Sequence, residues 1–322
     1  MKAARYFERR LVHSGMLLLA ISLLVFGISQ LAPGSFLDEL KLNAQISSQT
    51  TEALRVQYGL DQPLRVRYFR WLKSAVGGNF GYSLAYNLPV SKLLWSRTRN
   101  TLLLGSSAML LGWFVALPLG VWSAYKPSGW HDRLSTGISI VLLGTPELAL
   151  GLLFILVAAR FGNFPVGGMT SAVQNNIVGM TGDVLHHLII PAAVLALASA
   201  PILFRHTRAA MLEAWNSPFV TAARGHGIGD LRLLVCHALP TALNPLISLF
   251  GLSLAALFSG SFLVEVICGW PGLGPLFLEA IYTRDFQVVV AVVMLFSVFL
   301  MVSTLLADLL LYAADPRVRA EC

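Results

Sequence analysis

The stretch that decides the fold runs from Arg205 to Pro240. Its centre reads Ser217-Pro218-Phe219-Val220-Thr221-Ala222-Ala223-Arg224-Gly225-His226-Gly227-Ile228-Gly229-Asp230, and it closes on His237-Ala238-Leu239-Pro240. It is polar and glycine-broken, and it lies between long apolar segments. Three residues separate Ala223 from Gly227, and nine separate Gly227 from His237.

What flanks this stretch sets its context. The chain has 322 residues, 56% of them hydrophobic and 12% charged, with a mean hydropathy of +0.70. A soluble domain carries about 25% charged residues. The apolar excess sits in blocks near the roughly 20 residues of helix needed to cross ~30 Å of hydrocarbon. Six spans are expected: Leu11–Leu31, Thr101–Ala124, Leu134–Ala159, Leu188–Phe204, Ala242–Val264 and Val288–Tyr312. Period-two alternation is absent, so helices and not a barrel are expected, giving an all-α polytopic membrane protein. The fourth span is short and is expected to be broken by Pro191 and Pro201; it is a candidate to continue helically past Arg205. The run after Lys2, Arg5, Arg9 and Arg10 is too long for a signal peptide and reads as a retained first span.

Charge sets the orientation. The net charge of +7 comes from cations flanking the spans, and no basic-aromatic cluster points to nucleic acid. Basic residues mark the amino-terminal flank, the turn with Lys126 and Arg133, the 205–240 stretch with Arg205, Arg208, Arg224 and Arg232, and the tail with Arg317 and Arg319. The 161–187 stretch has no Lys or Arg, and 265–287 has only Arg284. The positive-inside rule then puts both termini and the 205–240 loop in the cytoplasm. The chain is expected to divide into residues 1–100, a first span with an outer helical loop, and residues 101–322, a five-span core carrying the loop 205–240. In the outer loop, Asp61-Gln62-Pro63 reads as a cap with proline near N1, followed by a helix that ends at Gly77-Gly78.

The cytoplasmic loop has local design. Ser217-Pro218 opens a helix that Gly225 and Gly227 stop. Gly229-Asp230 opens a second one, expected to end at Pro240. A short rigid helix held between two spans transmits a push that a flexible loop would absorb.

The spacing of Thr221-Ala222-Ala223, Gly227, and His237-Ala238-Leu239-Pro240 resembles the loop signature of permease subunits of bacterial ABC importers. In that signature Glu-Ala-Ala is followed by glycine and Ile-x-Leu-Pro. The departures at Thr221 and His237 are similar to the dipeptide, oligopeptide and nickel branch. Leu31-Ala32-Pro33-Gly34, Tyr58–Leu64, Asn79-Phe80-Gly81-Tyr82-Ser83, Asn100-Thr101-Leu102, Gly269–Gly274, Arg284-Asp285, Asp308 and Asp315–Arg319 extend the resemblance over essentially the whole chain.

The resemblance implies a type I importer permease fold in the bacterial inner membrane. It implies a translocation pathway shared with a second homologous permease subunit, in a heterodimer. Two cytoplasmic ATPase subunits would bind ATP and Mg, and an extracytoplasmic binding protein would deliver di- or oligopeptides, with nickel or another small solute as the alternative cargo. ATPase coupling would fall to Ser217, Pro218, Thr221, Ala222, Ala223, Arg224, Gly227, His237, Leu239 and Pro240. The chain itself would carry no cofactor and no catalytic or metal-binding residue. The sequence agrees: no Gly-x-x-x-x-Gly-Lys-Ser/Thr phosphate loop occurs.

A few polar residues fall within apolar segments. Glu147, mid-way along span three and directly after Pro146, and Glu265, at the end of span five, are candidates to line the pathway or shape a gate. Asn244-Pro245 is expected to open span five. His186-His187 invites a metal reading, but adjacent helical residues point about 100° apart, which suits joint chelation poorly. Cys236, Cys268 and Cys322 show no metal or disulfide spacing. Ser259-Gly260-Ser261 lacks the turn and partners of a serine hydrolase. An ion-coupled secondary transporter would need inverted repeats, and the sequence shows none.

Overall fold

The computed structural model describes residues 2–31, 56, 61–162, 164–171 and 177–314. The signatures at 32–34, 58–60 and 315–319 lie outside the described residues. Among the described residues, five helices are long and apolar enough to cross a membrane, and a bent helix pair makes a sixth if counted as one span. Two compact units form: Met1–Asn100 with Pro271–Phe299, and Thr101–Trp270 with Leu300–Cys322.

In the first unit, α1 (Lys2–Leu31) is followed by α2 (Leu64–Val76) and a two-residue hairpin, β1 (Tyr82–Ser83) against β2 (Leu88–Pro89). The long α3 (Val90–Tyr125) begins here, as do α10 (Leu273–Tyr282) and α11 (Phe286–Ala314). Phe26 of α1 is the pivot, with ring centroids 5.3 Å from Tyr68 and 5.2 Å from Phe286. Val90, Leu93 and Leu94 bury against Leu273, Leu276 and Ala280 of α10 and Val288, Ala291 and Val292 of α11. The start of α2 corrects the expected cap. Pro63, in extended backbone, is the residue before the helix, and its carbonyl accepts from the N–H groups of Val66 and Arg67. Asp61-Gln62 therefore forms the preceding turn, while Gly77 closes the helix as expected.

The second unit is built around α6 (Ile177–Trp215), which packs on α4 (Trp130–Gly144), α5 (Glu147–Phe161) and α9 (Leu239–Ile267). Leu188, Ile190, Ala192, Val194 and Leu195 form its buried side with Leu104, Ala108, Leu150, Ala158, Val264 and Trp270. Neither Pro191 nor Pro201 breaks α6. Membrane helices tolerate such prolines because neighbouring groups satisfy the freed carbonyls. The short fourth span is thus the middle of one 39-residue helix. Its length, about 58 Å at 1.5 Å per residue, exceeds any hydrocarbon core. Close approach to α3 depends on Gly120, where a Cβ would sit 2.7 Å from Thr207 Cβ.

Further expectations are corrected. The third span is not one helix: α4 and α5 meet at a 103° bend. Proline disfavours helical geometry in its predecessor, and here the bias prevails: Thr145 is extended, and Pro146 precedes the first turn of α5. Glu147 is accordingly the first residue of α5 and not mid-helix. Nor does the helix after Gly229 end at Pro240. It passes from α8 (Asp230–Leu233) through a wide π turn (Leu234–Ala238) into α9. Proline lacks an N–H and crowds the carbonyl four residues back; widening the turn just before Pro240 relieves that conflict. Pro245 likewise lies inside α9, so Asn244-Pro245 opens nothing.

Candidate functional site

The candidate coupling element is α7 (Pro218–Gly225), suspended between the end of α6 and the start of α8. Ser217 occupies the cap position with Pro218 at the first helical position, as the sequence indicates. The cap works differently from expectation: Ser217 Oγ donates back to the Ala214 carbonyl at 2.6 Å and does not accept from an N–H of α7. It thus fastens the corner to α6. Thr221 repeats the device, its Oγ1 donating to the Ser217 carbonyl at 3.2 Å.

Val220 is the anchor. Its side chain is fully buried among Ala124 of α3, Met211 and Ala214 of α6, Ala238 of the π turn and Ala242 of α9. One apolar residue therefore seats α7 on three longer elements. Away from Val220 the helix is open: Pro218, Phe219, Thr221, Ala222 and Gly225 are exposed, and Ala223 is half-buried.

The helix ends as its glycines dictate. His226 N–H donates to Ala222 and Gly227 N–H to Arg224, at 3.1 and 3.0 Å, and Gly227 has φ +81°. Only glycine takes that conformation without strain. Arg224 then ties both flanks together. Its guanidinium lies 4.9 Å from the Trp215 ring centroid, and its Nε is 3.3 Å from Asp230 Oδ1. Trp215 is the last residue of α6 and Asp230 the first of α8. The Trp215 ring packs edge-on against Tyr125 at 5.5 Å.

Ser217, Pro218, Thr221, Ala222, Ala223, Arg224 and Gly227 thus share α7 and its two ends. His237, Leu239 and Pro240 sit on the following helical segment, where Ala238 joins the Val220 cluster. His237 and Leu239 are half-buried and Pro240 is exposed. The two candidate glutamates lie elsewhere in the second unit. Glu147 is half-buried at the start of α5 beside Gly260, whose missing Cβ would sit 3.5 Å from its Oε1. Glu265 is fully buried near the end of α9, where its carbonyl accepts the Trp270 N–H at 2.8 Å.

His187 is held within α6 by the Asp183 carbonyl at 2.9 Å, and the His186 ring is nearly perpendicular to it. Among the described residues no cluster of three metal-ligating side chains forms.

Two arrangements were not legible in the sequence. Arg208 pairs with Asp132 of α4, Nε to Oδ1 at 2.6 Å and Nη2 to Oδ2 at 2.9 Å. In the first unit, Asp285 Oδ2 accepts from Ser83 Oγ at 2.6 Å and from Ala85 N–H at 3.2 Å. Gln287 Oε1 accepts Tyr82 N–H at 2.8 Å, and Asn100 Nδ2 donates to the Pro271 carbonyl at 2.8 Å. The separate fragments 82–85 and 285–287 are therefore bonded to one another, and Asn100 is bonded to the 269–274 turn. Tyr86 donates to Glu279; burial and that carboxylate push the phenol above its ordinary range.

The long apolar helices, with short helices held between them, define an α-helical polytopic membrane protein. The chain belongs to the family of binding-protein-dependent transport system inner membrane components: that family's model matches residues 116–320, and the model of its N-terminal part matches residues 3–104. The oligopeptide transport system permease protein AppB of Bacillus subtilis is 38% identical over 98% of this chain and 99% of its own. OppB of Mycobacterium tuberculosis is 33% identical over 98% and 99%. The glutathione transport system permease protein GsiC of Escherichia coli K12 is 31% identical over 98% of each chain. Among solved structures, the inward-facing MetNI methionine ABC transporter superposes with a TM-score of 0.56, covering 69% of this chain and 96% of that one at 19% identity. That similarity establishes the importer permease fold.

Proposed function

We propose that this chain is one of two permease subunits of an ATP-driven peptide importer, forming half of the pathway through the bacterial inner membrane. Full-length relatives named for oligopeptide and glutathione transport support a peptide cargo over nickel. Both termini and α7 face the cytoplasm in this reading, on the strength of the basic flanks. Two ATPase subunits bind ATP and Mg there, and a binding protein delivers cargo on the other side.

The observation that carries the coupling role is the contrast across α7. One side is immobilised by Val220 and by Arg224 between Trp215 and Asp230, and the other is open. A helix fixed in this way moves with α6 and α8 and does not bend away from them. Closure of the ATPase pair against the open side would therefore rotate the long helices.

Glu147 contributes to the pathway. A charged side chain at hydrocarbon depth costs about 2.5–3.5 kcal/mol, so its open side belongs against protein or water. Glu265, wholly enclosed, shapes the end of α9 near the gate.

Reconstitution tests the reading. The purified chain alone hydrolyses no ATP. With the second permease, two ATPases and the binding protein in proteoliposomes, ATP drives uptake of labelled peptide. Hydrolysis by the chain alone, or uptake of nickel and not peptide, would overturn it.

A further inference from the structure

The helix α2 carries Arg65, Arg67, Arg70 and Lys73, with no acidic residue among its 13 positions. Its inner side is fixed. Tyr68 OH lies 2.8 Å from Ser22 Oγ, and Phe26 contacts the rings of Tyr68 and Trp71 at 5.3 and 6.1 Å.

Those partners set its depth. The apolar stretch of α1 is Arg10–Ile28, and Ser22 lies six residues before its end. At 1.5 Å per residue that is about 9 Å inside the stretch. A helix hydrogen-bonded to Ser22 cannot stand clear of the membrane in bulk water; it lies at the boundary between hydrocarbon and headgroups.

The outer side of α2 suits that level. Phe69 is 67% exposed, Val76 84% and Val66 44%. Arg65, Phe69, Lys73 and Val76 follow one another at helical spacing along one stripe, and Arg65, Arg70 and Lys73 are exposed. Arg70 also donates to Gln62 at 2.9 Å. Apolar side chains at the acyl boundary with cations between them match the chemistry of an interfacial helix on anionic lipid.

We propose that α2 is a binding site for anionic phospholipid headgroups, with Phe69, Val66 and Val76 in the acyl boundary and Arg65, Arg70 and Lys73 on lipid phosphates. An acidic protein partner fits less well, because the exposed apolar residues lie at bilayer depth. The inference rests on the membrane-spanning reading of α1 and is independent of cargo and coupling.

The test uses the full transporter, purified in detergent, delipidated and titrated with phosphatidylglycerol or phosphatidylcholine under native mass spectrometry. The wild type retains phosphatidylglycerol preferentially. The R65Q/R70Q/K73Q variant binds it about tenfold or more weakly, and R65K/R70K binds as wild type. Equal retention by the neutralised variant overturns the proposal, as does displacement by inorganic phosphate alone. A nitroxide at V76C in phosphatidylglycerol bilayers is more accessible to oxygen than to a soluble nickel chelate. The reverse ranking, or protection only when the binding protein is added, also overturns it. Neither measurement reads uptake, so a failed importer and a failed lipid site remain distinguishable.

Discussion

Arg208 of α6 grips Asp132 of α4 with two nitrogens across 76 residues of sequence, and the Ser128 N–H adds a third donor to the same carboxylate at 2.8 Å. Asp132 is 4% exposed. The pair therefore fastens the turn before α4 to α6, nine residues before the corner at Ser217. The His131 ring stacks on Trp122 at 4.6 Å beside it. This clamp gives α7 a fixed base on the α6 side.

Removing one member of such a pair strands the other. Asp132→Ala is expected to lower stability by about 3 kcal/mol, the low end for buried pairs because Arg208 is partly exposed. Thermal unfolding of the detergent-solubilised chain measures it. The double variant D132A/R208A should lose less than D132A alone; a larger loss would show that the pairing is not what matters.

Gly120 marks a close approach of α3 to α6. Gly120→Ala should cost about 1–3 kcal/mol through overpacking against Thr207. Gly137→Ala, with nothing within 4 Å of the added Cβ, should be neutral or stabilising by up to about 1 kcal/mol. Equal thermal shifts for the two would contradict the packing described here.

Arg224 should matter for coupling more than for folding. Arg224→Ala loses both the Trp215 and the Asp230 contact, about 1 kcal/mol of local order. Peptide uptake per ATP hydrolysed should fall about threefold to fivefold, while the complex still purifies intact. Unchanged uptake per ATP would show that the tie is ornamental.

Asp285 is the centre of the first unit's polar assembly. Ser83→Ala should cost about 1 kcal/mol and Asp285→Ala about 2–3 kcal/mol, because the latter leaves several donors unpaired. Limited proteolysis at residues 84–87 should speed up in both, more in D285A. Cleavage at the wild-type rate in D285A would refute the assembly.

Glu147→Gln should change the kinetics of uptake without changing assembly. Unchanged kinetics would reduce Glu147 to a packing residue at the head of α5.

The residues show what was legible in advance. Hydropathy located the apolar segments, and Ser217-Pro218 and Gly227 marked both ends of α7, because caps and glycine turns are local chemistry. Proline misled in both directions. Pro146 breaks the third span, whereas Pro191, Pro201, Pro240 and Pro245 are absorbed into long helices. Whether a proline breaks a helix depends on which neighbours take over the freed carbonyls, and that is tertiary. Long-range pairs stayed hidden for the same reason. Arg208 read only as one of several basic flanking residues, and no periodicity links it to Asp132 or Ser83 to Asp285.

The coupling role of α7 is tested most directly by cysteine crosslinking from Ala222, in full transporters where the exposed Cys236 is replaced by serine. A222C should form a crosslink to an ATPase subunit, and its yield should change between nucleotide-free and ATP-bound states. Intact complexes that yield no crosslink from A222C, T221C or G225C would contradict the account.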